Sequence, residues 1–413
     1  MEQYDIAVIG AGPAGLFCAI QGAGPYIRVL LLEKNLQPGV KLLVSGTGQC
    51  NITHEGDIQT FFSRYGIHGK FLRSALLSCT NADLIRFFEE RGLPMEATYE
   101  GKVFPVSRKA GDVCDVLIRE CRRRGIDVRC GEAVNRVEYK NSVFVLSTTT
   151  NKFFAKNLVI ATGGASYPKT GSSGDGYRLA ASFGHSITGI GPALTPLMIK
   201  NFPFADLAGM SFPGLPFSVW RENRKIFKMR GDVLFTHTGL SGPGILDCSR
   251  DIRAGDEIRL SFAGRTKRDT FAQEFLSAIS SAPRKTIKII LKELGVPERL
   301  ARLLPALAGI PVDCTGAHLT AVGRTHLIRL LAECPLEVSA LGDLSIAMVT
   351  RGGIALEEVH AKTMESRLVP GLFFAGEVLD IDGDTGGFNL QAAFSTGFLA
   401  AQGIRERAGK HSS

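Results

Sequence analysis

Runs of apolar residues along the chain predict the strands of a buried sheet. Residues 6–9 form one run, a helix-like segment follows at 13–23, and a second apolar run occupies 27–33. Two more runs, at 157–161 and 372–375, each lead into a glycine-containing turn. Parallel strands covered by helices on both faces have this continuous apolar pattern, which is typical of α/β domains.

The middle of the chain interrupts this pattern, so we expect a discontinuous α/β domain formed by residues 1–193 together with 345–413. Residues 194–268 contain short alternating stretches with many Gly and Pro residues, which predict a β-rich insert. In 269–344 apolar residues recur at helical spacing, which predicts a small helical subdomain.

A glycine motif joins the first apolar run to the helix-like segment. Gly10, Gly12 and Gly15 follow the run with the spacing GxGxxG. Such glycines permit a tight turn, let a pyrophosphate approach the backbone, and let helix and strand pack closely, while the helix N-terminus attracts anions. Glu33, 18 residues after Gly15, can accept hydrogen bonds from a ribose and disfavours a 2′-phosphate. The motif predicts a dinucleotide site and leaves FAD and NAD open.

Two later segments favour FAD. The run 157–161 continues into the turn 162–164 (TGG), and the run 372–375 continues into a Gly-Glu turn and a second glycine pair at 386–387. In flavoproteins such an acid meets the ribityl or pyrophosphate region, and a helix N-terminus near the pyrimidine ring stabilises the charge of reduced flavin. The chain has only one dinucleotide fingerprint, so a nicotinamide donor would have to visit the flavin transiently.

The net charge of +8 suggests an anionic partner, such as a dinucleotide, a carboxylate or RNA. Basic residues cluster at 119–125, at 221–230, and at 259–302, where ten Lys and Arg residues stand against four Asp and Glu residues. Solvated helix surfaces also carry such clusters, so both interpretations stay open.

Composition also limits the class of protein. Nine cysteines without a CxxC pair favour reduced thiols in the cytoplasm over a disulfide framework or a zinc site. No apolar run approaches the roughly 18 residues that a spanning helix needs, and we find no signal-peptide pattern. The histidines show no metal-ligand spacing, so we predict no metal and no membrane segment.

Several longer segments are similar to a known family. The chain resembles, almost from end to end, the bacterial NAD(P)/FAD-dependent oxidoreductases of the aminoacetone-oxidase family (BaiN-type flavoproteins). The resemblance implies a discontinuous glutathione-reductase-type Rossmann FAD domain with an inserted β-barrel and a small helical subdomain. The segments that carry it are 10–15, 41–53, 101–113, 161–177, 233–246, 350–366 and 371–397.

The motifs and the resemblance together predict the cofactor site. FAD is the expected cofactor, and NAD(P)H the expected transient donor. The predicted FAD-binding residues are Gly10, Gly12, Pro13, Ala14, Gly15, Glu33, Lys34, Lys41, Ser45, Gly46, Gly48, Asn51, Thr53, Val134, Thr162, Gly163, Gly164, Gly376, Glu377, Gly386, Gly387 and Asn389.

The resemblance places the loop 45–53 against the flavin. The family pattern there is GGGRCNxTN, but this chain has Gln49 in place of the arginine and His54 in place of the final asparagine. Gln49 donates hydrogen bonds without charge, so it does not replace a cation. Cys50 is a candidate catalytic proton donor or reactive thiol; the alternative is a small thiol that packs the loop. His237, which the resemblance places over the flavin, is a candidate general acid, or else a histidine that bonds its own turn.

Three functions remain open. The leading hypothesis is reduction of a conjugated C=C bond with electrons from NAD(P)H, because the resembling family is associated with steroid enone reduction and with dihydrouridine formation in ribosomal RNA. The substrate would be a small molecule or ribosomal RNA. The second is an oxidase for a small amine such as aminoacetone, which releases hydrogen peroxide. The third is a non-catalytic, FAD-containing RNA-binding protein. The sequence leaves the oligomeric state open.

Overall fold

A computed structural model describes residues 3–264 and 268–410, and the chain divides into two compact units. The first unit combines residues up to 193 with those from 343 onward, and the second unit spans 194–342. Arg265 and Lys267, which belong to the predicted basic cluster 259–302, lie outside the described residues.

A seven-stranded sheet forms the centre of the first unit. Its order is β6-β2-β1-β9-β8-β7, and β18 pairs with β9 outside this path. The pairs β1–β2, β1–β9, β2–β6 and β9–β18 are parallel, as the apolar runs predict, whereas β7–β8 and β8–β9 are antiparallel. The strands are β1 (Gln3–Ile9), β2 (Val29–Glu33), β6 (Asp127–Cys130), β7 (Arg136–Lys140), β8 (Val143–Ser147), β9 (Lys152–Ile160) and β18 (Leu372–Phe374).

Smaller sheets and helices complete the first unit. Helices α1 and α12 approach closely, because a Cβ at Gly397 would lie 2.4 Å from the carbonyl oxygen of Ala14. The small sheets are formed by β3 (Thr53–His54), β4 (Met95–Ala97) and β5 (Lys102–Pro105), and by β10 (Gly191–Ala193) with β17 (Val349–Arg351). The helices are α1 (Pro13–Gly22), α2 (Val40–Val44), α3 (Gly69–Ser78), α4 (Asn81–Glu89), α5 (Ala110–Arg123), α6 (Asp175–Ala181) and α12 (Phe388–Lys410).

The second unit contains a closed barrel of six antiparallel strands. Their order around the barrel is β11-β14-β13-β12-β15-β16, and β16 pairs with β11 to close it. Phenylalanine side chains fill much of the interior, with the rings of Phe204 and Phe235 stacked at 5.1 Å. The strands are β11 (Leu197–Ile199), β12 (Ser211–Arg221), β13 (Arg224–Phe235), β14 (Gly239–Ser241), β15 (Glu257–Leu260) and β16 (Cys334–Leu341).

Helices of the second unit share one hydrophobic core with the barrel. The sequence analysis assigned 269–344 to helices alone, but 334–341 form the strand β16, whose side chains alternate between buried and exposed positions from Cys334 to Ser339. The strand was missed because its alternating pattern directly follows a much longer helical pattern. The helices are α7 (Pro243–Cys248), α8 (Arg268–Ser281), α9 (Ile287–Glu293), α10 (Glu298–Leu307) and α11 (Ala321–Ala332).

The described residues contain neither a candidate metal site nor a candidate membrane span. Within 3–264 and 268–410, no three His, Cys, Asp or Glu side chains are grouped so that they could hold a metal ion. In the same part of the chain, no helix has the length and apolar character needed to span a membrane.

Candidate functional site

Three glycine-containing turns meet at one edge of the central sheet. They follow β1, β9 and β18, which are parallel, so their carboxyl ends lie side by side. A Cβ at Gly10 would lie 2.6 Å from the carbonyl oxygen of Ala161, and a Cβ at Gly376 would lie 2.8 Å from Cβ of Ala14. Turns that are far apart in sequence therefore form one cluster, at the edge where open α/β sheets bind ligands.

The first turn gives each of its glycines a different role. Gly10 has φ +99°, in the region that favours glycine. A Cβ at Gly15 would lie 1.9 Å from the carbonyl oxygen of Gly10, so only glycine lets the helix pack this closely. Gly12 differs, because its backbone is extended and a Cβ there would meet no described protein atom within 4 Å. The open side of Gly12 fits a pyrophosphate at the N-terminus of α1.

Glu33 connects the end of β2 to this turn. Its carboxylate is largely buried and accepts hydrogen bonds from the backbone N–H groups of Ala11 and Asn35, both at 2.8 Å. A carboxylate oxygen can accept a second hydrogen bond, so these contacts leave capacity for a ribose hydroxyl. The side chain is therefore held in place by the protein itself.

Lys41 and Glu377 form the polar centre of the cluster. Lys41 Nζ lies 2.7 Å from Glu377 Oε2 and donates to Ser166 Oγ, also at 2.7 Å. Glu377 Oε1 accepts hydrogen bonds from the hydroxyl of Ser166 and the backbone N–H of Thr350. A Cβ at Gly164 would lie 2.3 Å from Thr350 Oγ1, so the glycine turn packs directly on this network.

The loop 45–53 packs against the start of α12. A Cβ at Gly387 would lie 2.4 Å from the carbonyl oxygen of Thr53, and Thr53 Oγ1 donates to Gln391 Oε1 at 2.5 Å. His54 stacks on Phe388 with ring centroids 5.2 Å apart. The two parts of the predicted flavin environment, the loop and the helix start, are therefore neighbours.

Cys50 lies within the hydrophobic core of the first unit. Its side chain has no solvent exposure, and burial raises the pKa of the thiol to about 12. The residue also has φ +61°, and its backbone N–H donates to the carbonyl oxygen of Ser45. A neutral, enclosed thiol favours the packing alternative over a reactive thiolate.

Two buried polar atoms of the cluster have no hydrogen-bond partner among the described residues. They are Asn51 Oδ1, in the loop, and Thr162 Oγ1, in the turn after β9. Buried polar groups are normally hydrogen-bonded, so an unpaired one points to a missing ligand atom. These two atoms and the open side of Gly12 fit a polar ligand as large as FAD. Asn51 and Thr162 both belong to the predicted site.

Other predicted site residues have partners within the protein. Asn389 Oδ1 accepts from the backbone N–H of Gly383, and Asn389 Nδ2 donates to the carbonyl oxygen of Gly383. Lys34 Nζ contacts Asp175 Oδ2 at 2.5 Å. His237 belongs to the second unit, where it is exposed in the turn between β13 and β14. The remaining members of the first unit lie in or beside the three turns and the loop, except Val134, which is buried before β7.

Sequence reasoning missed three polar residues of this cluster. Ser166, Thr350 and Gln391 each bond a predicted site residue, namely Lys41, Glu377 and Thr53 respectively. All three lie inside segments that carry the family resemblance. Ser166 and Thr350 each lie two residues from a glycine, but Gln391 lies a full helical turn after Gly387, so no single local pattern identifies all three.

Comparisons with known proteins agree with this geometry. The chain matches the family described as HI0933-like protein Rossmann domain over residues 4–403. It is 32% identical over 404 residues to the ribosomal RNA dihydrouridine synthase of Escherichia coli K12, with 98% of each chain covered. It is 29% identical over 410 residues to the 3-dehydro-bile acid delta(4,6)-reductase of Clostridium scindens, covering 97% of this chain and 99% of that relative.

A solved structure supports the fold. The open conformation of a flavocytochrome c3 fumarate reductase aligns with a TM-score of 0.51 at 16% identity, over 98% of this chain and 79% of that one. The family match spans nearly the whole chain, and the cluster contains the glycine turns that an FAD site requires. The chain belongs to the HI0933-like family of FAD-binding Rossmann proteins, and it is an FAD-dependent oxidoreductase.

Proposed function

We propose that this protein reduces an electron-poor C=C bond with electrons from NAD(P)H, and that its substrate is a uridine of ribosomal RNA. The observation that carries the proposal is the full-length similarity to a protein named ribosomal RNA dihydrouridine synthase. The relative named delta(4,6)-reductase also has a name that describes saturation of C=C bonds. One chemistry therefore accounts for both names.

Bound FAD would supply the two-electron redox chemistry. The residues of the chain would bind and orient it. The open side of Gly12 and the N-terminus of α1 would hold the pyrophosphate, and Glu33 would accept hydrogen bonds from the ribose. Backbone N–H groups at Gly387 and at the start of α12 would face the pyrimidine edge, where they would favour negative charge.

The reaction adds two electrons and two protons across the C5=C6 bond of the uracil ring, while NAD(P)H becomes NAD(P)+. The 4-carbonyl, conjugated to this bond, makes C6 electron-poor. One proton must reach C5, and His237 and Cys50 are the candidate donors from the sequence. The neutral thiol of Cys50 holds a proton at pH 7, but its enclosure leaves it without access to a substrate. His237 is exposed on the second unit and stays the other candidate.

The RNA substrate imposes two further conditions. The target uridine must be unstacked so that its ring can reach the cofactor. Most of the binding energy would come from phosphates, which makes binding sensitive to salt. The positive net charge of the chain suits such a partner.

Mass spectrometry of ribosomal RNA tests the proposal. A strain that lacks this protein should lose one dihydrouridine, which is two hydrogens heavier than uridine. The wild-type gene should restore it, and Gly12→Val should not. Unchanged dihydrouridine in the deletion strain would contradict the RNA substrate. Peroxide release with aminoacetone, far above flavin autoxidation, would favour the amine-oxidase alternative, and modification that persists with Gly12→Val would favour a non-catalytic role.

A further inference from the structure

Part of the basic stretch 119–125 surrounds a buried carboxylate of the first unit. Glu120 is almost fully buried, and its carboxylate lies 2.8 Å from Arg123, 3.1 Å from Arg91 and 3.8 Å from Arg124. Hydrogen bonds from Arg123 and Arg91, opposed by burial, lower the pKa of Glu120 to about 2. Arg91 and Arg124 are partly buried beside this charge, whereas the side chain of Arg123 pairs with it and stays 61% exposed.

The basic stretch 259–302 is paired in part. Five of its lysines and arginines face carboxylates of the same unit at 2.5–3.5 Å. The pairs are Arg259 with Glu257, Arg268 with Glu333, Lys285 with Glu293, Lys288 with Glu298, and Lys292 with Glu298. Five of the ten positive charges in this stretch thus face a carboxylate, and two of these five share Glu298.

Strand β13 is different. Arg224, Lys225, Lys228 and Arg230 are exposed within seven residues, and none forms an ion pair with any residue that the structure describes. Like charges this close repel one another, and the contacts that the fold gives them are to uncharged groups, from Lys225 to the Trp220 ring and from Arg230 to the carbonyl oxygen of Gly214. Such a group suits an anionic partner.

Three of these cations stand on one outer face of the barrel. Cross-strand pairs place Arg230 beside Pro216, Lys228 beside Ser218 and Lys225 beside Trp220. On the other side of β12, Arg259 stands beside Ser218 in the strand register; its charge is balanced by Glu257, so it adds a planar guanidinium to this face and not an uncompensated cation. We call the set Lys225, Lys228, Arg230, Arg259 and Trp220 the barrel face.

Trp220 gives this face an aromatic centre. It is the single tryptophan of the chain, and its ring is half-buried. The guanidinium of Arg259 lies 3.9 Å from the ring centroid and the ammonium of Lys225 lies 5.0 Å away. Aromatic rings on a sheet surface flanked by cations are the arrangement that binds single-stranded nucleic acid, with bases stacking on the ring or on arginine and phosphates meeting the cations.

We propose that the barrel face binds a single-stranded segment of the RNA substrate, through Lys225, Lys228 and Arg230 on phosphates and through Trp220 and Arg259 on bases. The inference rests on the proposed function, because it assigns that RNA a docking surface. Lys228 and Arg230 are two residues apart along β13, or about 6.6 Å, and the register shift between Val219 and Trp220 brings Lys225 into the same row, so the three cations can follow a backbone.

Cations on β13 could also protect an unpaired strand edge. On the side away from β12, the described partner of β13 is β14. Only Leu234 and Phe235 of β13 take part in this pairing. Lysine on such an edge discourages association with other strands. A carboxylate protects an edge equally well but repels RNA, so charge reversal separates the two explanations.

The test uses the FAD-loaded protein with a short fluorescein-labelled oligouridine. Lys225→Glu/Lys228→Glu should weaken binding by about tenfold or more and should lower the slope of log affinity against log salt by about 0.7 for each lost phosphate contact. The control Lys285→Glu/Lys288→Glu changes the net charge equally in the same unit and should leave binding nearly unchanged. The wild-type fluorescence of Trp220 should be quenched by the oligonucleotide.

Equal binding by wild type and both variants would overturn the inference, as would equal weakening in the control. Binding to vesicles that contain phosphatidylserine, without binding to oligouridine, would assign the face to a membrane and also overturn it. Unchanged melting temperature and FAD content would exclude misfolding. Loss of dihydrouridine in the deletion strain, measured separately, tests the proposed function, so the two failures can be told apart.

Discussion

Lys41 Nζ lies 2.7 Å from Glu377 Oε2, and this ion pair joins residues that are 336 positions apart in the chain. Both side chains are about a quarter exposed or less, so the pair is only partly screened by water. We expect Lys41→Met to lower the free energy of unfolding of the apo protein by about 1–2 kcal/mol, because it leaves a partly buried carboxylate with fewer partners. Urea denaturation measures this change.

Lys34→Met is the matched control for that measurement. Lys34 pairs with Asp175, whose side chain is 42% exposed, so the loss should stay below about 1 kcal/mol. If both variants lost equal stability, the Lys41–Glu377 pair would contribute no more to the free energy of unfolding than the Lys34–Asp175 pair.

Gly12 and Gly15 should respond differently to substitution. Gly12→Val adds a side chain that meets no described protein atom near its Cβ, so the protein should fold and lose FAD. Gly15→Ala instead forces a Cβ to within 1.9 Å of the carbonyl oxygen of Gly10, so the protein should be destabilised whether or not FAD is present. Absorbance of the purified proteins and their circular dichroism distinguish the two. A yellow Gly12→Val protein would show that FAD still binds, which would contradict the placement of the pyrophosphate at this turn.

Thr162 offers a test of the cofactor contact that leaves the fold intact. Its hydroxyl is buried and has no partner in the described part of the chain, so Thr162→Val removes no protein hydrogen bond. We expect unchanged or higher apo stability and FAD affinity that is about five- to tenfold weaker, the value of one hydrogen bond. Titration with FAD measures the affinity.

Thr396→Val provides the comparison. Thr396 Oγ1 accepts a hydrogen bond from the backbone N–H of Gly376 and donates to the carbonyl oxygen of Ala392, so this variant should lose stability. Unchanged FAD affinity in Thr162→Val would mean that its hydroxyl does not face the cofactor.

Cys50 should react slowly with alkylating agents. Its thiol is enclosed and has a pKa of about 12, so iodoacetamide should modify it only after unfolding, whereas Cys130 and Cys314 are partly exposed. Cys50→Ala should cost about 1–2 kcal/mol of stability and retain most of the NAD(P)H-dependent activity. A large loss of rate with unchanged stability would instead show that Cys50 takes part in the reaction.

His185 should make the stability of the first unit depend on pH. Its ring is buried, with Nε2 2.7 Å from Ser366 Oγ and Nδ1 3.1 Å from Glu358 Oε2. Burial lowers the pKa of His185 from its ordinary 6.5, although Glu358 partly opposes this. The unfolded chain therefore binds a proton more readily, so stability is present above about pH 6.5 and is lost as pH falls through the lowered pKa.

Denaturation at about pH 7.5 and about pH 5.5 measures the effect. Burial raises the pKa of Glu358, but the hydrogen bonds to Ser186 and His185 outweigh this and lower the pKa overall. Glu358 therefore stays ionised in this pH window. His185→Gln should show a smaller pH dependence than wild type, whereas the exposed His360→Gln should behave like wild type. An equal pH dependence in all three proteins would contradict the assignment.

Local motifs were the part of the site that the sequence could predict. Within the motif of Gly10, Gly12 and Gly15, a Cβ at Gly15 would meet the carbonyl oxygen of Gly10, so the shape of this turn follows from the local spacing. The partnership of Lys41 and Glu377 depends on how distant segments meet, and no local pattern contains it. The closure of the barrel likewise depends on distant segments, since β16 pairs with β11 and β15.

The sequence could not separate positive charges that have a carboxylate partner from those that face solvent. The arginines around Glu120 and the cations of β13 both read as basic residues in the sequence. The first group compensates a buried carboxylate, whereas the second faces solvent. Only the fold decides which positive charges have partners. The position of a carboxylate in three dimensions is needed before a basic stretch can be interpreted.

The closing strand of the barrel has a consequence for biosynthesis. Because β16 pairs with β11 across about 140 residues, the second unit cannot finish folding until position 341 has left the ribosome. The central sheet waits longer still, since β18 and α12 come after the insert in the chain. During translation the interrupted sheet must therefore stay incomplete while the barrel matures, and that nascent stage is where chaperones would have the most exposed apolar surface to protect.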